Sequence, residues 1–326
     1  MSENNQFRMP PWAVGVILIA LAVFPIFTSN AYFLRMVILA FIWIVINTNW
    51  NLVMGVSGIF SLAQLALFAI GGYVSAMLAL NLGISPWVTM FLGAFAAVIA
   101  SVIIGFPTLR LRGVYVVLLT LAFHEILRVM IESDESGITG GAFGLLNVPT
   151  YGMEFLGPRG NMMFYYYFAM VLCCLIVYVL YRITYSPIGL AFQALRDSER
   201  YATSRGISPF RYKMLVFIVS AFFTGLIGAF YAHYYKTISP SAFSFGLLMN
   251  LMAMIVLGGW GTFAGPILGT VLMIALSEWL HSVEQFRLII LGLVMTVCIV
   301  LFPKGLVSLI EKAYGRVNEW LDEGVE

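Results

Sequence analysis

Few residues of this sequence are of a type and spacing that could support catalysis. Its three histidines are His124, His233 and His281, and its three cysteines lie in apolar runs without the spacing of metal ligands. His124-Glu125 begins like the helix of a zinc protease, in which a second histidine follows one turn after the first. Arg128 occupies that position here. We therefore expect no catalytic residue and no metal site, and we predict that the chain is not an enzyme.

Nucleotide binding through a P-loop is excluded as well. Such a loop needs a glycine-rich turn followed by Lys-Ser or Lys-Thr, so that backbone amides and the lysine surround the phosphates. None of the lysines lies in that context; they are Lys213, Lys236, Lys304 and Lys312. No cofactor is predicted for the chain itself.

Polar residues inside apolar segments are the remaining functional candidates, because such residues are costly in a bilayer. Glu125 and Arg128 lie three apart on one predicted helix, where they can pair with each other or line a pathway. Polar and small residues also cluster in two irregular stretches. We predict that these line a translocation pathway, with helix packing by small residues as the equal alternative. The residues are Asn47, Asn51, Ser61, Gln64, Asn250, Gly258 and Gly259.

Composition shows which elements must position these residues. Hydrophobic residues make up 61% of the 326 positions and charged residues 10%. Soluble domains carry about 25% charged residues, so the apolar excess of this chain must face lipid. The net charge of +2 and the absence of a lysine- and arginine-rich run predict no nucleic-acid partner.

Apolar runs of spanning length predict an all-α integral membrane protein with about ten transmembrane helices. The predicted spans are Trp12–Thr28, Tyr32–Asn49, Ile59–Leu80, Trp87–Phe106, Val114–Ile131, Met162–Ile183, Met214–Tyr235, Phe245–Leu257, Pro266–Leu280 and Leu288–Phe302. With both termini in the cytoplasm, most of the 17 lysines and arginines fall on the cytoplasmic side, as the positive-inside rule requires.

This topology divides the chain into three parts. Residues 1–11 form a cytoplasmic tail, residues 12–302 the transmembrane permease domain, and residues 303–326 a second cytoplasmic tail. The long 132–161 loop is predicted to be external, and the long 184–213 loop to be cytoplasmic.

The 184–213 loop contains a predicted amphipathic helix. Ser186-Pro187 is a helix start signal and Gly206 a stop signal. One face of the helix carries small and apolar residues, and the other carries charges. An alanine-rich face grips a membrane poorly, so we favour a helix that docks on another protein over one that lies on lipid headgroups. The candidate docking residues are Gly189, Ala191, Ala194, Leu195, Arg196, Asp197, Glu199, Ala202 and Gly206.

Several motifs together resemble one family, because they occur in its order along residues 45–310. They are Asn51-Leu52 with Gly58 and Ser61-Leu62-Ala63-Gln64, Leu109-Arg110-Leu111-Arg112-Gly113, Thr139-Gly140-Gly141, Gly189 to Glu199, Gly258-Gly259-Trp260-Gly261-Thr262, and Phe302-Pro303-Lys304-Gly305. With these residues the sequence resembles the LivM-type permeases of branched-chain amino acid ABC transporters.

The resemblance implies a permease subunit that imports leucine, isoleucine or valine across the bacterial inner membrane. It implies as partners a second homologous permease, two cytoplasmic ATPases that bind the ATP, and an extracytoplasmic substrate-binding protein. It also places the helix that couples to the ATPases in the 184–213 loop. Permeases for urea and short amides share these motifs and are the alternative. An ion-coupled secondary transporter is less well supported, because Glu125 and Glu278 lie near span ends rather than deep in the membrane.

Overall fold

The computed structural model describes residues 11–28 and 30–280, and the single positions 292, 296, 305 and 307. These residues form α-helices and one short antiparallel strand pair. The helices are α1 Pro11–Phe27, α2 Ala31–Asn51, α3 Gln64–Leu82, α4 Pro86–Thr108, α5 Val114–Glu132, α6 Gly157–Thr184, α7 Pro187–Asp197, α8 Glu199–Ser204, α9 Pro209–Tyr235, α10 Phe245–Gly258 and α11 Gly265–Trp279. The strands are β1 Leu145–Leu146 and β2 Thr237–Ile238.

The long apolar helices coincide with the first nine predicted spans. Seven helical segments of the described residues are long and apolar enough to cross a membrane, and α1 and α11 are shorter apolar helices. The tenth predicted span, Leu288–Phe302, and the 303–326 tail lie outside the described residues except at single positions, and so does nearly all of the 1–11 tail. The prediction of an all-helical membrane protein is confirmed, whereas the count of ten stays a prediction.

The boundary between the second and third spans differs from the prediction. α2 runs to Asn51 and continues as a π-helical turn, Leu52–Val56, so it extends beyond the predicted end at Asn49. Residues 57–63 then have no regular structure, and α3 begins at Gln64 instead of Ile59. Apolar composition does not reveal this break, because most of the irregular residues are buried like the helices on either side, with Gly58 and Phe60 as the exposed positions.

α1 is joined to α6 at the turn that Pro25 disturbs. A proline inside a helix has no N–H to donate, so the carbonyl four residues earlier loses its partner. Here that carbonyl belongs to Leu21, and Tyr166 Oη donates to it over 2.8 Å. Tyr167 Oη donates to the neighbouring Ala22 carbonyl over 3.0 Å. Two tyrosines of α6 therefore satisfy the weakened turn and hold α1 against the bundle.

The centre of the bundle is the packing of α3, α4 and α9. Their backbones approach closely at glycines: a Cβ on Gly71 would overlap the Gly225 backbone, and one on Gly228 would overlap the Phe68 carbonyl. Membrane helices associate through van der Waals contact rather than a hydrophobic drive, so small residues at a crossing allow this approach. These glycines therefore serve packing.

The loops gather at two ends of the bundle. At one end, β1 pairs with β2 and the Trp87 ring contacts Tyr151 with centroids 4.8 Å apart. At the other end, Phe106 contacts Phe210 with centroids 5.9 Å apart. We call the second end the basic end, because its loops and flanking turns carry Arg110, Arg112, Arg182, Arg196, Arg200, Arg205, Arg211 and Lys213. The predicted external and cytoplasmic loops thus fall at opposite ends.

Candidate functional site

The predicted amphipathic helix is two helices that meet at Ser198. Ser186 Oγ accepts the Gly189 N–H over 3.4 Å and so caps α7, as the start signal predicts. Ser198 is extended, with φ −158°, and its Oγ accepts the Tyr201 N–H over 3.4 Å at the start of α8. The second serine cap breaks what was predicted as one helix. The chain turns after α8 at Gly206, whose φ of +83° confirms the stop signal.

The small face of α7 and α8 points into the chain. Ala191 is 7% exposed, Leu195 5% and Ala202 1%. The aromatic ring of Phe192 is buried beside Tyr212 of α9, with centroids 6.3 Å apart. In the described residues this apolar face packs against its own bundle, as apolar helix faces do. Docking of this face on another protein stays a prediction.

The remaining candidates of this loop differ in their surroundings. Gly189 packs so closely that a Cβ there would overlap the Thr184 carbonyl. Ala194 is half-buried, and Asp197 and Gly206 are exposed. Glu199 Oε2 accepts from Lys213 Nζ over 3.0 Å, which ties the start of α8 to α9.

The outer face of α7 and α8 carries large apolar side chains instead. Ile188 is 41% exposed, Leu190 62% and Tyr201 60%. We call these three residues the outer apolar face. They lie at the basic end, outside the spans, where a partner protein can cover them.

Arg196 contacts the backbone at the end of α2. Its Nε donates to Asp197 Oδ1 over 2.9 Å, and its Nη1 donates to the Gly55 carbonyl over 2.9 Å. Gly55 belongs to the π-helical turn that ends α2. A contact between a loop helix and this turn was not predicted, because sequence spacing carries no information about it.

Most of the predicted pathway residues link helices inside the core. Asn47 Nδ2 donates to Thr270 Oγ1 over 2.7 Å, joining α2 to α11. Gln64 Nε2 donates to Ser220 Oγ over 3.0 Å and also bonds Thr224 of α9. These side chains are nearly fully buried, and their bonds are the kind that hold membrane helices together.

Asn51 and Ser61 are buried links too. Asn51 Oδ1 accepts the Gly261 N–H over 2.8 Å, and its Nδ2 donates to the Thr262 carbonyl over 2.8 Å. Ser61 offers its carbonyl to Trp50 Nε1 over 2.7 Å. The structure therefore places both residues in packed joints rather than on an open surface.

The pathway candidates at and after the end of α10 are buried, whereas Asn250 within α10 is partly exposed. A Cβ on Gly258 would overlap the Gly265 carbonyl, so this glycine allows α10 to approach α11. Gly259 follows with φ +114° and is buried. Asn250 is partly exposed on α10, the one member of the predicted set that is not buried. Lining of a pathway stays a prediction, and Asn250 is the predicted residue whose side chain is accessible enough for it.

The predicted pairing of Glu125 with Arg128 is confirmed. Arg128 Nε lies 3.4 Å from Glu125 Oε2 and 3.6 Å from Glu132 Oε1, one turn further along α5. The third member of this row, Glu132, was missed as a partner, although its spacing of four residues from Arg128 could have indicated it.

A buried histidine joins three segments at the end opposite the basic end. His233 Nδ1 lies 2.6 Å from the Pro149 carbonyl, and its Nε2 lies 2.8 Å from Ser75 Oγ and 3.2 Å from Thr89 Oγ1. The carbonyl can only accept, so Nδ1 carries the proton and Nε2 accepts from a hydroxyl. Sequence reasoning missed this role, because the partners come from three distant segments.

The loop at that end contains a carboxylate-centred turn. Asp134 accepts the Ser136 N–H over 3.0 Å and the Thr139 N–H over 2.6 Å, and both hydroxyls bond it as well. Hydrogen bonds from the Ser136 and Thr139 side chains hold the pKa of Asp134 well below its usual range.

Sequence comparison identifies relatives of this chain. The family described as "Branched-chain amino acid transport system / permease component" matches residues 32–301. The high-affinity branched-chain amino acid transport system permease protein LivM of Escherichia coli (strain K12) is 31% identical over 329 residues, which cover 94% of this chain and 77% of the relative. The protein of the same name from Salmonella typhimurium (strain LT2) is 30% identical with the same coverage. No solved structure gives a significant match.

Proposed function

The chain belongs to the family of branched-chain amino acid transport permeases, and on that premise we propose that it is the membrane-spanning subunit of an ABC importer for leucine, isoleucine and valine in the bacterial inner membrane. The match over residues 32–301 carries this proposal. It agrees with the apolar helices of spanning length and with the permease names of both relatives.

The proposed complex contains four further components. A second, homologous permease completes the membrane part, and two cytoplasmic ATPases bind the ATP that this chain has no P-loop to bind. A substrate-binding protein delivers the amino acid from outside. The proposal places the basic end in the cytoplasm, because arginine and lysine are enriched on that side of bacterial inner-membrane proteins.

The outer apolar face is the proposed contact with the ATPases. When a partner covers exposed apolar side chains that lie outside the bilayer, their removal from water stabilises the complex. Ile188, Leu190 and Tyr201 meet that condition, whereas the alanines first assigned to this role are turned inward or half-buried. Arg196 and Asp197 adjoin this face as exposed polar groups.

Asn250 is the proposed pathway residue of this chain. Its amide is the polar group on a partly exposed stretch of an otherwise apolar helix, and polar groups in spans face water or protein rather than lipid. Asn250→Leu is expected to slow uptake while leaving the bundle intact, because the side chain is only partly buried and the substitution disturbs little packing.

Transport by the reconstituted complex tests the proposed function. The chain is assembled with its four partners in liposomes, and uptake of labelled leucine, isoleucine, valine, alanine, urea and acetamide is measured with and without ATP. ATP-dependent uptake of the three branched-chain amino acids is expected. Uptake of urea or acetamide alone would show that the substrate is a short amide and not a branched-chain amino acid. Gradient-driven uptake by this chain without the ATPases would show that it is a secondary transporter.

A labelling experiment tests the orientation separately. In a background without the native cysteines, Ser204→Cys at the basic end and Ser136→Cys at the opposite end are labelled with a membrane-impermeant reagent. Ser136→Cys is expected to react in intact cells and Ser204→Cys only after lysis. Labelling of both from the same side would overturn the proposed topology.

A further inference from the structure

The end of α2 has a carbonyl that the helix itself cannot satisfy. The last turn of any helix leaves C=O groups without intrahelical partners. In the π-helical turn, the Ser57 N–H bonds the Leu52 carbonyl and the Ile59 N–H bonds the Val53 carbonyl. The chain then leaves the helix at Gly58, whose φ is +73°. The Gly55 carbonyl is satisfied from another part of the chain, by Arg196 Nη1 at 2.9 Å.

The surroundings of Arg196 are shaped to its side chain. A Cβ on Gly58 would lie 2.5 Å from Arg196 Cγ, so the arginine stem occupies the space that this glycine leaves free. Asp197 Oδ1 holds Nε on the opposite edge of the guanidinium. The cation also lies at the carboxyl end of a helix, where the backbone dipole attracts positive charge. Three features thus favour one position of the guanidinium.

The same turn is tied to a second loop. Asn51, one turn before Gly55, exchanges two hydrogen bonds with the backbone of Gly261 and Thr262 in the loop between α10 and α11. A path of hydrogen bonds and backbone therefore runs from α7 through Arg196 to the end of α2, and from there through Asn51 to the α10–α11 loop.

We infer that Arg196 is a positioning residue that transmits movement of α7 into the transmembrane helices. Arg196 was predicted as a docking residue, whereas its bond to the Gly55 carbonyl runs inward to the end of α2. An ATPase that displaces α7 moves the guanidinium, and the guanidinium carries the end of α2 and the α10–α11 loop with it. This inference rests on the proposed function, since it requires that a partner acts on α7.

The exposed ion pair alone does not explain this geometry. Surface pairs between neighbouring charged residues contribute about 0–1 kcal/mol. The bond to the Gly55 carbonyl is different, because it joins residues 141 positions apart and is partly buried. Asp197 acts here by orienting Arg196, and Asp197→Asn serves as a milder variant that keeps an acceptor for Nε.

The first test measures the ratio of substrate imported to ATP hydrolysed by the reconstituted complex. Arg196→Gln removes the cation, and Arg200→Gln is the matched control, an exposed arginine of α8 with the same change in charge. Loss of a hydrogen bond to a charged donor corresponds to about a tenfold effect, so Arg196→Gln is expected to lower the ratio about tenfold. Arg196→Lys, which retains the charge, is expected to recover part of it. An unchanged ratio, or an equal fall in the control, overturns the inference.

The second test uses the purified chain without partners. Hydrogen exchange of the Ser57 and Ile59 amides is expected to quicken about tenfold in Arg196→Gln and to stay unchanged in Arg200→Gln. If the wild-type complex shows no ATP-dependent uptake, the proposed function fails while this measurement still decides whether Arg196 holds the turn. Unchanged exchange overturns the inference directly. Faster exchange with an unchanged import ratio also overturns it, because Arg196 would then stabilise the turn without transmitting movement.

Discussion

Two neighbouring side chains of α7 have opposite surroundings, and their replacement separates internal packing from partner binding. Phe192 is 1% exposed and packs beside Tyr212, whereas Leu190 is 62% exposed. Phe192→Ala deletes a buried ring, a change that typically costs about 3–5 kcal/mol in a packed core. Leu190→Ala removes mostly exposed atoms, so we expect little change in the stability of the isolated chain.

The effect of Leu190→Ala on partner binding follows from its exposed fraction. Burying the atoms that leucine has beyond alanine is worth about 2.4 kcal/mol at roughly 0.8 kcal/mol per methylene. Because 62% of Leu190 is still available for burial, a covering ATPase gains about 1.5 kcal/mol from those atoms. Leu190→Ala is therefore expected to weaken association with the ATPases about tenfold.

Thermal unfolding of the purified chain and titration of the ATPases onto membrane-embedded chain measure the two effects. Phe192→Ala should lower the unfolding temperature, and Leu190→Ala should raise only the apparent dissociation constant. Unchanged ATPase affinity in Leu190→Ala would show that the outer apolar face meets lipid or water. A large loss of stability in Leu190→Ala, with none in Phe192→Ala, would reverse our assignment of the inner and outer faces.

Three further variants probe the bundle and its outer loops. Gly228→Ala places a Cβ against the Phe68 carbonyl and should lower the unfolding temperature, whereas Gly246→Ala, with no other described atom within 4 Å, should not. His233→Phe removes the bond to the Pro149 carbonyl and should speed proteolysis of the 133–156 loop without abolishing folding; unchanged cleavage would contradict that role. The folded pKa of Asp134 is depressed, so its contribution is present above its unfolded pKa of about 4 and lost as the pH falls through the folded value. The 134–139 turn should loosen in acid, and Asp134→Asn should abolish that dependence in hydrogen exchange.

The positions of the spans were predictable because lipid imposes a length and a composition on every crossing helix. Nine apolar runs therefore coincide with helices of the described residues. Their exact ends were less predictable. Most residues of the break between α2 and α3 are buried, and side chains such as Trp50, which donates to the Ser61 carbonyl, bond its backbone, so it differs little in composition from a helix.

The two faces of α7 were predicted correctly as a pattern, whereas the group that each face contacts was not predictable. Periodicity separates small residues such as Ala191 from charged ones such as Arg196, but it does not say whether the apolar side meets the same chain or a partner. The predicted pathway residues raised the same ambiguity, since Asn47 and Gln64 would show the same spacing as core links or as a pathway lining. Their hydrogen-bond partners on α11 and α9 show that both residues are core links, and these partners are far away in sequence.

Gly55 and Gly58, at the end of α2, both contact Arg196. Gly58 leaves room for its stem and turns the chain with a positive φ, and Gly55 offers its carbonyl. A Cβ on Gly55 would overlap Asn51 Oδ1 and the Gly261 backbone, so this position has no room for a side chain. A side chain at either glycine displaces a group that the other contacts depend on. The end of α2 is therefore a joint in which the contacts of the arginine, the asparagine and the two glycines depend on one another.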